Sequence, residues 1–350
     1  MKTVHVTASK NYDVLIGSGL LSTLGDKLLE ILKPCKAAIV SDSNVFPLYG
    51  NAAQESLKAK GYDTVSFVFP AGEESKNGET YLRLLNFLAE NHLTRSDCLI
   101  ALGGGVVGDM TGFAAATYLR GIAYIQLPTT LLAAVDSSVG GKTAIDLEAG
   151  KNLCGAFYQP RLVLCDTDTL NTLPKDIFRD GCAEVIKYSV LYDRSLFDQL
   201  ASDVINFSRQ DVIARCVELK RNVVAEDEFD RGERQKLNLG HTIGHGVEAQ
   251  SHFEISHGKA VAIGLAIVSR ASAAQQLCSR ETCNEIVSVL ERFGLPTTST
   301  YTAEQLYASA LSDKKRFGGH VNLVLPEKIG QCIIRPTAVS DLESFIQAGL

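Results

Sequence analysis

The sequence has little of what marks membrane, secreted and nucleic-acid-binding proteins. No apolar run approaches the roughly 18 residues that span a bilayer, and the opening stretch MKTVHVTASKNYDVLIG has no apolar core typical of a secretion signal. The nine cysteines are scattered and never spaced as CxxC, which argues against a disulfide framework and favours free thiols in a reducing compartment. A formal net charge of -6 argues against general binding to nucleic acid or anionic membranes. We therefore expect a cytoplasmic enzyme.

The length of 350 residues exceeds the size at which single hydrophobic cores stop growing, so we expect two domains. Short apolar runs alternate with amphipathic helical segments in the first part, which predicts a mostly parallel sheet covered on both faces and a Rossmann-like α/β nucleotide-binding domain over residues 1–167. Later segments have helical periodicity and only Val321–Leu325 resembles a strand, which predicts an all-α domain over residues 168–350. We expect the ligand site in the cleft between these domains.

Histidines are concentrated in one short segment. Four of the seven lie within seventeen consecutive positions: His241, His245, His252 and His257. Residues four apart share one face of a helix, and zinc is the usual ion for imidazole and carboxylate ligands. Spacing alone therefore favours His241 and His245 as two metal ligands, with a third elsewhere; the alternative is a pair of buried, hydrogen-bonded histidines. Glycines at 240, 244 and 246 are poor helix formers and indicate that another backbone or a ligand approaches closely.

A glycine-rich turn, Leu102-Gly-Gly-Gly-Val-Val-Gly-Asp109, follows a predicted strand and opens a predicted helix. Its GxGxxG spacing allows a backbone to approach a pyrophosphate, which then rests on the N–H groups of the helix N-terminus. The following strand ends without the acid that usually binds the ribose, whereas Asp42 and Glu73 lie upstream. We therefore predict that the ribose-binding strand precedes the glycine turn, with Asp42 favouring NAD over NADP because a carboxylate repels a 2′-phosphate. The alternative is a tight turn without a ligand.

Lysines on predicted glycine-flanked loops suit a phosphate or carboxylate ligand. They occur in Asp136-Ser-Ser-Val-Gly-Gly-Lys142-Thr143 and in Gly150-Lys151-Asn152. A Walker A loop is excluded because Asp136 stands where its first glycine belongs; for Lys142 alone, a solvated surface position is the alternative.

Glu184 and Lys187 share a helix face in an apolar setting of the helical half. They form either an ordinary ion pair or a metal ligand beside a substrate-binding lysine. Further positive charge precedes the histidine segment, in Lys220, Arg221, Arg231, Arg234 and Lys236.

Taken together, these motifs resemble the 3-dehydroquinate synthase family of the sugar-phosphate cyclase superfamily, over almost the entire chain. The matching segments are Pro70-Ala-Gly-Glu-Glu-Ser-Lys76, Ala101-Leu-Gly-Gly-Gly-Val-Val-Gly-Asp109, Ala114-Ala-Ala-Thr-Tyr-Leu-Arg120-Gly121, Leu127-Pro-Thr-Thr130, Asp136-Ser-Ser-Val-Gly-Gly-Lys-Thr143, Gly150-Lys-Asn152, Ala183-Glu-Val-Ile-Lys187, Leu237-Asn-Leu-Gly-His-Thr-Ile-Gly-His245, His257-Gly258 and Asp313-Lys-Lys315. So many ordered motifs are highly specific.

The resemblance implies an NAD-binding α/β domain, a helical domain for metal and substrate, one divalent metal (zinc or cobalt) and a homodimer. The implied metal ligands are Glu184, His241 and His257, which replaces the spacing-based choice of His245. The implied substrate positions are Asp136, Lys142, Lys151, Asn152, Lys187, Lys220, Arg234, Asn238, His245 and one of Lys314 and Lys315, for which we choose Lys315, with Arg120 reaching the neighbouring subunit's site. The implied NAD positions are Asp42, Asn44, Glu73, Lys76, Gly104, Gly105, Val106, Asp109, Thr129, Thr130, Lys142, Lys151, Thr169 and Thr172.

The family's reaction converts 3-deoxy-D-arabino-heptulosonate 7-phosphate to 3-dehydroquinate and phosphate, in the shikimate route to aromatic amino acids. It proceeds by transient NAD-dependent oxidation, phosphate elimination, re-reduction, ring opening and intramolecular aldol closure. The alternatives are another sugar-phosphate cyclase, making an inosose or valiolone skeleton, or a metal-dependent polyol dehydrogenase. Lys151, Asn152 and Lys220 favour a carboxylate-bearing substrate, which argues against a cyclase that makes an inosose or valiolone skeleton. The set of phosphate-binding residues argues against a polyol dehydrogenase. A non-catalytic NAD- and metal-binding regulator is a third alternative, which the intact metal ligands and lysines disfavour.

Overall fold

Apolar runs of the first half form a seven-stranded sheet in the computed structural model, which describes residues 1–202, 209–314 and 319–350. The chain divides into two compact units. The first unit consists of Met1–Pro174 and Arg209–Phe229, and the second of the described parts of Lys175–Ser208 and Asp230–Leu350. This division differs from the predicted boundary between residues 167 and 168, because the first unit continues to Pro174 and includes a later helical segment.

The secondary-structure elements are numbered in chain order. The strands among the described residues are β1 (Lys2–Val6), β2 (Tyr12–Gly17), β3 (Lys36–Asp42), β4 (Asp63–Phe69), β5 (Cys98–Gly103), β6 (Ala123–Pro128), β7 (Lys142–Leu147), β8 (Gly150–Phe157), β9 (Leu162–Asp166), β10 (His320–Lys328) and β11 (Gln331–Ala338). The α-helices there are α1 (Leu24–Leu29), α2 (Phe46–Lys58), α3 (Gly78–Glu90), α4 (Gly105–Thr117), α5 (Lys175–Tyr192), α6 (Arg194–Ser202), α7 (Arg209–Glu226), α8 (His241–Gln250), α9 (His257–Ala274), α10 (Arg280–Arg292), α11 (Ala303–Lys314) and α12 (Val339–Gly349).

The sheet of the first unit has the strand order β1-β2-β9-β6-β5-β3-β4. β1 pairs antiparallel with β2, and the other neighbours pair parallel, which confirms the predicted mostly parallel sheet. β5 is buried along its whole length, as expected for a strand covered on both faces. The strand order reverses at β3, because β4 lies on one side of it and β5 on the other. In open α/β sheets, ligands bind beyond the carboxyl ends of the strands at such a switch point.

The sequence prediction misses some strands of the first unit. β9 lies between β2 and β6 with every residue buried. β7 and β8 form an antiparallel hairpin where the sequence suggests glycine-flanked loops. The hairpin packs against α4 at Gly112, where an added Cβ would lie 2.4 Å from Thr143 Cγ2. A small helix residue therefore makes room for the hairpin.

Helix α7 belongs to the first unit because it packs on β1 and β2. Lys2 forms an ion pair with Asp211, and Lys220 Nζ donates a hydrogen bond to Asp136 Oδ1 at 2.8 Å. The helical period of residues 211–226 predicts most of this helix. The element that it packs against depends on long-range contacts, so its assignment to the helical domain differs from the structure.

The second unit is arranged around α9, which is buried on nearly all sides and contacts α5, α8, α10 and α12. β10 and β11 pair as an antiparallel hairpin, so the prediction of an all-α domain is wrong at this place. The predicted strand Val321–Leu325 lies within β10. Within the described ranges, we find no helix with both the length and the apolar character needed to cross a membrane.

Candidate active site

Two buried charged side chains lie in the middle of α5. Glu184 is 0% exposed and Lys187 is 1% exposed, although charged residues are rarely fully buried. Their three-residue spacing puts them on one helix face, and Lys187 Nζ forms an ion pair with Glu184 Oε2. Burial raises the pKa of the Glu184 carboxyl, but the Lys187 ammonium and His241 outweigh burial and hold this pKa well below its usual range. Glu184 is therefore ionised.

The first residues of α8 and α9 bring two imidazoles to this carboxylate. Glu184 Oε1 lies 3.4 Å from His241 Nε2 and 3.3 Å from His257 Nε2. One ligand atom from each of the three residues lies within 4.8 Å of the others. On the far side of its ring, His241 Nδ1 lies 3.1 Å from the Leu239 carbonyl oxygen, a contact that orients Nε2. Glu184, His241 and His257 are called the metal centre below.

The metal centre fits a divalent cation by its donor chemistry. Both Glu184 oxygens are buried, and their contacts with Lys187, His241 and His257 do not have normal hydrogen-bond geometry. A buried carboxylate is unfavourable unless its oxygens have partners, and a cation would be such a partner. Burial lowers the pKa of His241 to about 4, so its ring is neutral, as metal ligation requires. Burial also disfavours charge on His257, but Glu184 and Glu248 raise its pKa to about 10, so a cation would displace a proton there. One carboxylate and two imidazoles leave the open position of a catalytic zinc site.

The structure does not group the two histidines that spacing paired. Among the described residues, His241 groups with Glu184 and His257, whereas His245 groups with Glu248 and His257. The His241 and His245 ring centroids are 5.6 Å apart, and His245 is exposed. His252 lies in the loop after α8 and belongs to neither group. His245 thus borders the metal centre instead of completing it.

The glycines beside His241 allow close packing of two helices. Gly240, the N-cap of α8, has a φ of 77°, and an added Cβ would lie 2.9 Å from the Val261 carbonyl oxygen. An added Cβ on Gly264 of α9 would lie 2.0 Å from the Gly240 carbonyl oxygen. Of the two interpretations left open by the sequence, the close approach of another backbone is therefore observed. This packing fixes the first turn of α8, which carries His241, against α9.

Glu248, a buried residue of α8, is not among the predicted site residues. Its Oε2 lies 3.4 Å from His257 Nδ1, the position of a carboxylate that orients a metal-bound histidine. The signal that could have found it is an acid one helical turn after His245, on the same face.

The remaining substrate positions of the second unit fall just before α8 and near α11. Arg234 is buried and Asn238 is exposed in the short 3-10 helix Glu233–Asn238. Lys314 ends α11, and Lys315 lies outside the described residues.

In the first unit, Asp42, predicted to bind the ribose, and the glycine turn, predicted to bind the pyrophosphate, lie at the same carboxyl edge of the sheet. Ser41 of β3 pairs with Leu102 of β5, so Asp42 is level with Gly103. Asp42 Oδ1 accepts hydrogen bonds from the backbone N–H groups of Asn44 at 2.8 Å and Val45 at 2.9 Å. This edge is the switch point at which a dinucleotide is expected.

The glycine turn itself joins β5 to α4. Gly104 is the N-cap of α4, and Gly105 and Val106 are its first residues. An added Cβ on Gly104 would lie 3.0 Å from Thr130 Cγ2, and Thr129 N–H donates to the Gly103 carbonyl oxygen at 3.0 Å. The turn therefore has little room for a side chain and presents a helix N-terminus.

Lys76 is the centre of a polar cluster beside α4. Its Nζ is buried and donates hydrogen bonds to Asp109 Oδ2 and Asn152 Oδ1, each at 2.6 Å. Burial lowers the pKa of Lys76, but Asp109 and Glu73 outweigh burial and raise it. Glu73 Oε1 lies 3.9 Å from Lys76 Nζ and 3.8 Å from Lys151 Nζ. Residues from three separate sequence motifs thus come together.

Asp146, which is also not among the predicted site residues, orients Asn152 in this cluster. Asn152 has a left-handed φ of 56°, and Asp146 Oδ1 accepts a hydrogen bond from its N–H at 2.7 Å. Asp146 N–H donates to the Lys76 carbonyl oxygen at 2.8 Å. No local signal in the sequence indicates this role, because it depends on the pairing of β7 with β8.

Three further predicted residues of the first unit lie on short helical turns, and a fourth begins a strand. Asp136 lies in the π-helical turn Ala133–Ser137, a rare geometry that is frequent at functional sites, and Lys220 Nζ donates to its carbonyl oxygen at 2.7 Å. Thr169 and Thr172 lie in the 3-10 helix Thr167–Thr172. Lys142 begins β7 and is exposed.

Arg120 is exposed and lies in an unusual backbone segment. Leu119 has a φ of 50° and Arg120 a φ of 66°, both left-handed values that are uncommon outside glycine. Arg95 Nε donates to the Leu119 carbonyl oxygen at 3.1 Å, which anchors the segment. Strained residues of this kind cluster at functional sites.

Comparison with known proteins shows the family to which the chain belongs. The 3-dehydroquinate synthase N-terminal family matches residues 66–180, and the 3-dehydroquinate synthase C-terminal family matches residues 181–316. A 3-dehydroquinate synthase of Enterococcus faecalis is 42% identical over 353 residues, covering 99% of this chain and 98% of that protein. The chain belongs to the 3-dehydroquinate synthase family.

Solved structures of sugar-phosphate cyclases share the architecture of this 3-dehydroquinate synthase family member. A 2-deoxy-scyllo-inosose synthase complexed with carbaglucose-6-phosphate, NAD+ and Co2+ is 25% identical with a TM-score of 0.88, covering 100% of both chains. The 2-epi-5-epi-valiolone synthase of Streptomyces hygroscopicus subsp. jinggangensis, with NAD+ and Zn2+ bound, is 26% identical with a TM-score of 0.89, covering 98% of both chains. A parallel-sheet α/β part and a largely helical part are therefore common to these enzymes.

Proposed function

We infer that the chain converts 3-deoxy-D-arabino-heptulosonate 7-phosphate to 3-dehydroquinate and phosphate, a step of the shikimate pathway. The observation that carries this inference is the near-full-length similarity to named 3-dehydroquinate synthases. The inosose and valiolone cyclases are much less similar in sequence, so another cyclase activity is not favoured. A polyol dehydrogenase is not favoured either, because such relatives match in fold alone.

The proposed cofactors are NAD and one divalent metal, zinc or cobalt. Glu184, His241 and His257 would hold the cation, and the carboxyl edge around Asp42 and the glycine turn would hold NAD. When bound, NAD would take up and return a hydride at one substrate carbon, while the cation would polarise the oxygen on that carbon. Support comes from the donor set of the metal centre and from the two related cyclases, whose structures contain NAD+ with Co2+ or Zn2+.

Lys187 and Arg234 would bind the anionic groups of the substrate in the second unit. Each is at most 2% exposed, and a cation removed from water binds phosphate or carboxylate more strongly than a solvated one. Arg234 suits bidentate binding of such a group, and Lys187 acts as a point charge beside the metal centre. His245, which borders the centre, is proposed to contact the phosphate.

In the first unit, Lys142, Lys151, Asn152 and Lys220 are the proposed substrate residues. Lys220 is held by Asp136, and Asn152 by Lys76 and Asp146, so two of them are oriented in advance. During elimination the phosphate's own oxygen would take the proton. The cations then need only hold and orient the phosphate.

We also propose a cytoplasmic homodimer in which Arg120 enters the neighbouring subunit's site. The free state of all nine cysteines, which fall in the described residues, supports a reducing compartment. The exposed, anchored and strained Arg120 segment supports a contact outside its own subunit, since left-handed non-glycine residues cost about 1–3 kcal/mol each and persist where function needs them.

The activity is tested by incubating the protein with NAD+, Zn2+ and the heptulosonate phosphate. We expect phosphate and 3-dehydroquinate to form in equal amounts without accumulation of NADH, because the hydride returns to the substrate. Phosphate release without dehydroquinate, or net NADH formation, would contradict the proposal.

Alanine variants test the proposed roles of Lys187 and Arg234 in substrate binding. Lys187→Ala and Arg234→Ala are each expected to lower turnover about 100-fold or more, because they remove charge that faces the transition state, while the affinity for NAD+ stays unchanged. Lys236→Ala is the matched control, since Lys236 pairs with Glu233 in the same 3-10 helix and has no proposed role. If Lys187→Ala or Arg234→Ala has the same turnover as Lys236→Ala, the role proposed for that residue is contradicted.

A further inference from the structure

Asp180, a residue of α5 outside the metal centre, forms hydrogen bonds to the start of α9 beside His257. We propose that Asp180 is a positioning residue that fixes His257 and thereby sets the affinity of the metal centre for a divalent cation. This inference rests on the proposed function, because it presupposes that Glu184, His241 and His257 bind the cation.

Asp180 lies on α5 one helical turn before Glu184, so the two side chains share a face. Its Oδ1 accepts hydrogen bonds from Ser256 Oγ at 2.5 Å and from the Lys259 N–H at 3.0 Å. These two donors flank His257 in the sequence. Asp180 therefore holds the first turn of α9 from both sides of the ligand.

The bond to Lys259 is a capping bond supplied by another helix. The first N–H groups of a helix have no partner within it, and the N-cap side chain usually accepts one of them. Ser256 is the N-cap of α9, but its side chain makes no such bond and instead donates to Asp180. The Asp180 carboxylate takes over the capping role, and its charge also suits the positive end of the helix dipole. Capping of α9 thus requires α5 to lie in this position.

The backbone of α9 also approaches the backbone of α5 closely at this contact. An added Cβ on Gly258 would lie 2.0 Å from the Asp180 carbonyl oxygen, so α9 meets α5 directly beside the ligand. Metal–ligand distances tolerate only about 0.2 Å of variation, and the His257 and Glu184 donor atoms are 3.3 Å apart across this junction. A small shift of the first turn of α9 is therefore enough to weaken cation binding.

Asp180 is distinct in role from Glu248. Glu248 contacts the His257 ring at Nδ1 and orients the imidazole, whereas Asp180 contacts the backbone and hydroxyl on either side of it. Within the described residues, Asp180 is absent from both candidate metal groups. It acts on the cation through His257.

The test measures zinc affinity by competition with a chromophoric chelator, together with the visible absorption spectrum of the Co2+-loaded protein. Asp180→Ala is expected to weaken zinc binding about 10- to 100-fold, as loss of outer partners of metal ligands typically does, and to change the Co2+ spectrum. Asp180→Asn keeps an acceptor oxygen and is expected to restore both values toward wild type. Ser256→Ala removes one of the two donors and leaves the capping bond in place, so a smaller loss of affinity is expected in a variant that folds readily.

Ser279→Ala is the matched control, because Ser279 caps α10 of the same unit by accepting the Thr282 N–H at 3.0 Å. It is expected to lower thermal stability, measured in the presence of EDTA, without changing the zinc affinity. Wild-type zinc affinity in Asp180→Ala, or equal losses in Asp180→Ala and Asp180→Asn, would overturn the positioning role. Zinc affinity that does not change in His257→Ala would instead show that the metal centre, and with it the proposed function, is wrong.

Discussion

Asp42 combines a structural and a proposed recognition role at the end of β3. Its Oδ1 closes the turn into α2 by accepting two backbone N–H groups, and its charge lies beside the glycine turn. Asp42→Asn keeps an acceptor for the turn and removes the charge. We expect the affinity for NADP+ relative to NAD+ to rise about tenfold or more, because a 2′-phosphate no longer meets a carboxylate. Dissociation constants of both nucleotides, measured by titration calorimetry, give this ratio.

Asp63→Asn is the control for this change, because Asp63 is an exposed residue at the opposite, amino end of the neighbouring strand β4. Its nucleotide ratio should equal that of wild type. An unchanged ratio in Asp42→Asn would mean that another residue of this edge recognises the ribose.

The proposed metal ligands show how far single residues can be predicted from the sequence. Helical spacing brings only neighbours on one helix together, so it found His241 and chose His245 as its partner. Glu184 comes from α5 and His257 from α9, and their convergence depends on how three helices pack. The family motifs indicated this set, and the structure brings it together, but periodicity alone contains no information about such a contact.

At the scale of elements, long periodic segments and buried runs were predicted well. The run that forms β5 and the helical period of α4 are close to the observed elements. β9 was missed because Leu162-Val-Leu-Cys-Asp166 is a short apolar run without a period, which cannot be distinguished from part of a buried helix. The helical period predicts α7, but its expected place in the helical domain differs from the division of the structure into units. An amphipathic pattern does not specify which partner covers the apolar face.

The backbone contact between α8 and α9 leads to a prediction for Gly264. Gly264→Ala would place a Cβ 2.0 Å from the Gly240 carbonyl oxygen, so the helices must separate. We expect a loss of about 1–3 kcal/mol in the free energy of unfolding, as for other overpacked positions, and weaker zinc binding because His241 moves with α8. Chemical unfolding and chelator competition measure the two effects.

Gly78→Ala provides the comparison, since Gly78 opens α3 and an added Cβ there has no neighbour within 4 Å. This variant should be as stable as wild type or more stable by up to about 1 kcal/mol. Equal stability of Gly264→Ala and Gly78→Ala would mean that the α8–α9 contact is looser than the structure indicates.

The whole molecule has a net charge of -6, yet its buried cations are concentrated in the proposed sites. The buried lysine and arginine side chains among the described residues are Lys76, Lys187, Lys220 and Arg234. Burying a charge is unfavourable unless it is paired or functional, and the family resemblance implies a cofactor or substrate position for all four. An acidic chain can therefore bind an anionic substrate, because the relevant charge is local and removed from water.

The proposed homodimer makes a prediction about two inactive variants. Arg120→Ala and Lys187→Ala should each be inactive alone, since each removes a cation from every site. In a mixture that has exchanged subunits, a heterodimer has one site with both cations if Arg120 acts on the neighbouring subunit. Random exchange of equal amounts makes half of the dimers hybrid, so about a quarter of wild-type activity should return. If Arg120 acted within its own subunit, both sites of the hybrid would lack one cation and the mixture would stay inactive, as would a mixture in which both partners carry Lys187→Ala.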